Sequence, residues 1–219
     1  MREIVFYFDF ISNNAYLAWT QLDRLTKGHD INIKPVPVLF AGLLNAHKSV
    51  GPAEIPAKRN WMLKNILRKA TLLGVPMAPP AHHPFNPLPA LRACTAPMSD
   101  AQRALLIDAL FKAIWVDSVH ISELTELEKI ITRVGLDKDI MSEWINSTEA
   151  SDMLRSNTQE AVDAGTFGIP TLMIEDQLFF GYDDFEYLAL YLQGLDPVKP
   201  SQLEGWNTRV IPPSSIRSR

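Results

Sequence analysis

From Ile4 to Phe10 the chain is apolar at nearly every position, rich in aromatic and β-branched residues and without a helical period. That pattern predicts a strand buried on both faces. Ser12-Asn13-Asn14 breaks it, and from Ala15 the residues Tyr16, Leu17, Trp19, Leu22 and Leu25 recur at helical spacings until Gly28. A helix across this stretch is expected to lay one apolar stripe on the sheet. Ile31 and Ile33 then alternate with polar neighbours up to Pro35, which predicts a second strand. A strand that returns through a helix lies parallel to the first in the same sheet.

Beyond residue 38 the texture changes. Nine of the 16 prolines fall between Pro52 and Pro97, and Lys58 to Leu73 is the one long helical pattern among them. Ser99 with Gln102 has capping-box spacing and opens a helix to about Val116, with Leu105, Leu106, Ala109, Leu110, Ala113 and Ile114 on its apolar face. Leu124, Leu127, Ile130, Ile131 and Val134 mark another helix, closed by Gly135. Shorter helical stretches at 140–145 and 151–164 lead to Gly165.

Strand texture returns at Thr171 to Ile174 and again at Leu178 to Phe180, so close together that an antiparallel hairpin is the simplest connection. Asp183 with Glu186 repeats the capping-box spacing before a last helix through Leu192. The tail from Asp196 is rich in Pro and Ser, and its Leu203, Trp206, Val210 and Ile211 are expected to pack along the surface. The order β, α, β, helical block, α, β, β, α resembles an α/β thioredoxin-like domain interrupted by an inserted all-helical domain. Residues 1–38 plus 160–219 are assigned to the former and 39–159 to the latter.

At 219 residues and 47% hydrophobic, the chain buries a sizeable core. A net charge of -4 with no basic stripe gives no general attraction to nucleic acid or to anionic membranes. Glu3 and Asp9 interrupt any signal-peptide core, and the most apolar run, Val36 to Ala46, falls short of the roughly 18 residues a membrane span needs. A cytoplasmic protein is the expectation. Cys94 is the single cysteine, in helical context where a thiol is usually a small buried hydrophobe. The chain therefore has no internal disulfide, no C-x-x-C pair and no thiolate zinc cage.

Two positions stand out chemically. Ser12 lies where the first strand meets the first helix, so the unpaired N–H groups and positive end of that helix converge on its hydroxyl; the same pattern describes a plain N-cap. Pro170 stands directly before the hairpin, and a cis Ile169–Pro170 bond would turn the N–H and C=O of Ile169 outward to pair with an extended peptide. Equally, Pro170 fits the start of an edge strand.

Phe6-Tyr7-Phe8-Asp9-Phe10-Ile11-Ser12 with Ala15-Tyr16-Leu17-Ala18 resembles the N-terminal signature of the 2-hydroxychromene-2-carboxylate isomerases and the related kappa-class glutathione transferases. Phe167 to Thr171 and Phe180 to Asp183 are similar to the glutathione-binding half of that family, and Pro56-Ala57-Lys58, Gly74-Val75-Pro76, Pro84-Phe85-Asn86 and Ala90-Leu91-Arg92 form a third block. These blocks follow family order over about residues 3 to 192. The resemblance implies glutathione as cofactor, a small aromatic substrate and a homodimer. It implies that Ser12 faces the glutathione sulfur, that Ile169 and Pro170 hold its peptide backbone together with Tyr182, that Asp183 pairs with its α-ammonium group, and that Lys58 meets an anionic end. It also implies Asn86 and Arg92 on the substrate side. Taken alone, Asp183 reads as a helix cap, Lys58 as a solvated lysine and Arg92 as a surface arginine.

A free thiol titrates at about 8.5, and a hydroxyl donor at a helix N-terminus favours its thiolate. The implied reaction is reversible addition of that thiolate to a conjugated aromatic pyruvate, which lets a double bond rotate. Conjugation or reduction of electrophiles by a transferase would use the same thiolate, while a non-catalytic binding or chaperone module would use none. Thiol-disulfide exchange is contradicted by the lack of any cysteine near Ser12. The chain departs from the family at Asn13 and Asn14 beside the serine, at Ser49 in place of an asparagine, at Trp61 in place of a tyrosine, and at Asp184 in place of an arginine. His82-His83 lacks the further ligands a metal needs, and His29, His47 and His120 read as surface or capping residues.

Overall fold

The computed structural model describes residues 1–209, with only the backbone course given for 207–209. Four strands form one sheet in the order β2-β1-β3-β4, with β1 Arg2–Phe8, β2 Ile31–Pro37, β3 Thr171–Ile174 and β4 Gln177–Phe180. β2 runs parallel to β1, Arg2 opposite Ile31, while β3 is antiparallel to β1, Ile4 opposite Ile174. Ile174 faces Gln177 across the hairpin, so Glu175-Asp176 is the turn, with Glu175 at φ +57.

As a central strand, β1 buries both faces, which accounts for its unbroken apolar run. Ile4, Phe6, Phe8 and Phe10 are fully buried on one side, and Phe8 and Phe10 meet the ring of Phe111 with centroids 5.8 and 4.8 Å apart. Val5 and Tyr7 face the other side, toward Leu43, Ala161 and Ile169. The helices are α1 Asn13–Trp19, α2 Leu22–Thr26, α3 Phe40–Ala46, α4 Pro56–Leu73, α5 Leu88–Ala93, α6 Asp100–Trp115, α7 Leu124–Arg133, α8 Lys138–Asn146, α9 Thr148–Asp163, α10 Phe185–Leu192 and α11 Pro200–Arg209.

The expected single helix from Ala15 is two. It begins at Asn13, and Thr20 ends α1 because its hydroxyl donates to the Leu17 carbonyl at 2.7 Å while the Gln21 N–H reaches back to Ala18. The Ser99–Gln102 capping box is formed, and Gly135, at φ +80, follows α7 in the left-handed conformation. The Asp183–Glu186 box is not formed. Residues Tyr182–Asp184 make a 3-10 turn, Asp183 is bound to Lys69, and the Asp184 carboxylate accepts from the Phe180 N–H at 2.7 Å. Nor does the tail pack as expected: Leu203 is 50% and Trp206 68% exposed. Val210 and Ile211 lie outside the described residues.

Two helices were not anticipated, α3 and α11, whereas α5 supplies the helical context expected before Cys94. α3 lies against α9 so closely that a Cβ on Gly42 would stand 2.8 Å from the Thr158 methyl, and glycine there permits the approach. Thr158 also accepts the Leu39 N–H at 3.0 Å. The boundary expected at 159/160 falls within α9, which packs on both β2 and the helices α3, α5 and α8.

Candidate active site

β1 ends at Phe8, and the four residues to Ser12 turn the chain into α1. Their turn is set by Asp9. This carboxylate is 1% exposed and accepts from the Ile11 N–H at 3.1 Å and, across the fold, from the Phe40 N–H at 3.0 Å, while the Asp9 carbonyl accepts from Ser12 N–H. Burial pushes its pKa up to about 7, against the opposing pull of backbone hydrogen bonds from Phe40, Ile11 and Phe10. Asp9 thus ties the serine turn to the start of α3. An acidic residue inside the apolar run from Ile4 to Phe10 was the sequence signal for it.

Ser12 is the N-cap of α1. Its Oγ accepts from the Ala15 N–H at 3.1 Å and stands 3.5 Å from the Ile169 carbonyl, to which it can donate only a bond at the limit of useful length. The hydroxyl proton is therefore weakly held at the positive end of a helix, where a nearby anion would be stabilised.

The second wall is the turn into β3. Ile169–Pro170 is cis, the Pro170 carbonyl accepts from Gly181 N–H at 2.8 Å, and Thr171 Oγ1 donates to the Gly168 carbonyl. The Ile169 N–H makes no hydrogen bond among the described residues. Asn14, two residues beyond Ser12, also holds a buried side-chain oxygen without a partner there. Buried polar groups are nearly always paired; the Ile169 N–H and the Asn14 Oδ1 are two that the described residues leave without a partner.

The other expected residues are distributed unevenly. Tyr182 follows Gly181, packs against Leu17, Ile66 and Ala70, and its hydroxyl accepts from Arg24 at 3.4 Å. Next to it Asp183, 68% exposed, pairs with Lys69 Nζ at 2.6 Å; Lys69 is thus a cation at this edge that sequence reasoning missed. Lys58 is exposed in the first turn of α4, and its side chain makes no hydrogen bond or ion pair among the described residues.

Asn86 and Arg92 are built into the scaffold. The Asn86 side chain accepts from the Leu88 N–H at 3.1 Å at the start of α5, and its backbone N–H donates to Ser122 Oγ. Arg92 donates from Nη1 to the Ile145 carbonyl and from Nη2 to Ser151 Oγ, joining α5 to α8 and α9. It lines a cavity of about 340 Å³ with Leu39, Gly42 and Thr158, apart from Ser12. Cys94 is fully buried and burial pushes its thiol up to about 12, despite the opposing charge of Arg103; it is a packing residue.

Segment 75–86 closes over the serine end through tertiary bonds. Tyr16 Oη donates to the Pro76 carbonyl at 2.8 Å, the Ala78 N–H to the Trp115 carbonyl, Ser118 Oγ to the Pro79 carbonyl at 2.7 Å, and His83 Nε2 lies 3.2 Å from the Ile11 carbonyl. Trp115, beneath it, donates to the Phe10 carbonyl at 3.0 Å. His82 turns away from its neighbour to meet His120, ring centroids 4.4 Å apart.

A four-stranded sheet, a helix N-capped by Ser12 and a cis proline facing that cap define a thioredoxin-fold protein with serine at the β1–α1 turn. The chain matches the family model of the DSBA-like thioredoxin domain over residues 3–193 and belongs to that family. Among relatives, the 2-hydroxychromene-2-carboxylate isomerase of Sphingobium xenophagum is 28% identical over 193 residues, spanning 87% of this chain and 98% of that one. The glutathione S-transferase kappa 1 of Rattus norvegicus is 28% identical over 217 residues, spanning 91% and 96%. A solved 2-hydroxychromene-2-carboxylate isomerase superposes with a TM-score of 0.79 at 23% identity, covering 94% of this chain and 98% of that one. Among the described residues no helix is long and apolar enough to cross a membrane.

Proposed function

We propose that this protein is a glutathione-dependent isomerase of 2-hydroxychromene-2-carboxylate or a similar aromatic pyruvate. The observation that carries the reading is the serine hydroxyl at the α1 N-terminus, 3.5 Å from the carbonyl of a cis Ile169–Pro170 turn, in a chain with relatives named as such isomerases. Bound glutathione would supply a nucleophilic thiolate that adds to a conjugated double bond and leaves again. Ser12 would donate a hydrogen bond from its hydroxyl to the sulfur, keeping its own proton, and the α1 N-terminus would favour the thiolate charge. Ile169 would pair with the peptide backbone beside Pro170, and Tyr182 would wall the site. Asp183 would take the α-ammonium group in competition with Lys69, and Lys58 would attract an anionic end. Asn86 and Arg92 would act on the substrate indirectly, by fixing α5. The reading extends to a cytoplasmic homodimer with a sheet domain of residues 1–38 plus 160–219 and a helical domain of 39–159.

The test is the ultraviolet absorbance of bound glutathione as a function of pH, because thiolate absorbs where thiol does not. Wild type is expected to hold the bound thiol well below its free value of about 8.5, and Ser12→Ala to return it toward that value and to cut turnover about 10²-fold. Bound glutathione with the same titration in both proteins would refute the assignment of Ser12. The kappa-class relative, matched at the same identity, supports a second reading as a transferase. Product analysis separates the two: transfer consumes glutathione and isomerisation returns it.

A further inference from the structure

Loop residue His83 occupies an unusual position for an exposed imidazole. A carbonyl oxygen can only accept, so the 3.2 Å contact with the Ile11 carbonyl makes Nε2 the protonated donor. The ring is oriented further by Phe85 and Trp115, at 6.2 and 6.1 Å between centroids. Its other nitrogen, Nδ1, has no partner among the described residues. Ile11 is bonded to Ser12, so standard bond lengths alone place Nε2 within about 8 Å of the serine oxygen.

We propose that His83 is a specificity-determining residue that binds an anionic oxygen of a planar aromatic acid beside the serine turn. The proposal rests on the reading above for the place of that acid in a reaction, but the binding itself does not require glutathione. With Nε2 fixed on Ile11, protonation of the ring adds a donor at Nδ1 in a fixed direction, and a charge-assisted bond to a carboxylate or enolate oxygen is the strong kind. The half-buried ring of Phe85 beside His83 gives a flat ligand an aromatic neighbour, with Trp115 buried behind the imidazole. The adjacent His82 meets the ring of His120, and among the described residues no acidic side chain pairs with His83; Glu123 faces His120, at 3.8 Å.

The test is calorimetric titration of the whole protein, free of glutathione, with trans-2-hydroxycinnamate and with the neutral cinnamyl alcohol. His83→Gln keeps a donor for Ile11 and removes the imidazole; His83→Phe keeps the flat ring and removes both nitrogens. Both variants are expected to bind the acid about tenfold or more weakly and the alcohol as wild type does. In wild type, the acid is expected to move the ring nitrogen resonances of His83. Unchanged affinity for the acid in His83→Gln, equal loss for acid and alcohol, or no acid binding to wild type would each overturn the proposal. Failure of glutathione to bind, with the acid still selected by His83, would instead overturn the proposed function and leave this assignment standing.

Discussion

The two walls around Ser12 are held in different ways. On one side, the β1–α1 turn is fixed from within the sheet, with Phe8 and Phe10 fully buried against Phe111 and with Asp9 bridging to Phe40. On the other, segment 75–86 has no regular secondary structure and is held by single bonds to its neighbours, from Tyr16 to Pro76, from Ser118 to Pro79 and from His83 to Ile11. The contrast teaches a division of labour. On the proposed function, the hydroxyl and helix end that would do the chemistry sit on the rigid wall, and the wall that would vary with substrate is tethered at points, each costing little to change.

The largest effect should come from the rigid wall. Phe111→Ala removes the ring shared by Phe8, Phe10, Tyr16 and Trp19 and is expected to cost about 3–5 kcal/mol in denaturant unfolding. A loss below 1 kcal/mol would show that the aromatic cluster does not carry the wall.

Asp9 gives the next. Its native pKa, about 7, lies above the unfolded value near 3.8, so the folded state binds more protons between those limits. Stability is therefore fully present below the lower value and declines as pH rises through 7, by up to about 4 kcal/mol. Asp9→Asn is expected to flatten that slope in unfolding curves taken at pH 4, 5.5 and 7.5. An unchanged slope would put the titration elsewhere.

Smallest is Tyr16→Phe, which deletes the bond to Pro76 for about 1 kcal/mol. Amide exchange should quicken in segment 75–86 and stay unchanged in β1; equal acceleration in both would erase the distinction between the walls.

The same contrast explains what was legible in the sequence. β1 through Phe8, the hairpin, the Ser99 capping box and the Gly135 stop carry their instructions locally, in periodicity and cap chemistry. Ser12 and Pro170 were visible for the same reason, each marked by its place at an element boundary. What escaped depends on partners distant in the chain. α3 exists against Thr158, and Arg92 looked solvated because its acceptors lie at Ile145 and Ser151. Asp183 had cap spacing, yet Lys69, 114 residues away, takes its carboxylate. The donor contact of His83 spans 72 residues and could not be seen in the His-His pair itself.

Cys94 has a practical consequence for handling this molecule. It is the chain's single cysteine, fully buried, with a thiol that stays protonated at any working pH. Maleimide dyes and spin labels should pass it by in the native protein. A cysteine introduced on an exposed face, for example at Leu72 on α4, would then be the one attachment point. Distances across the molecule could be followed with pairs of such labels, without first removing a native thiol and disturbing the packing around α5.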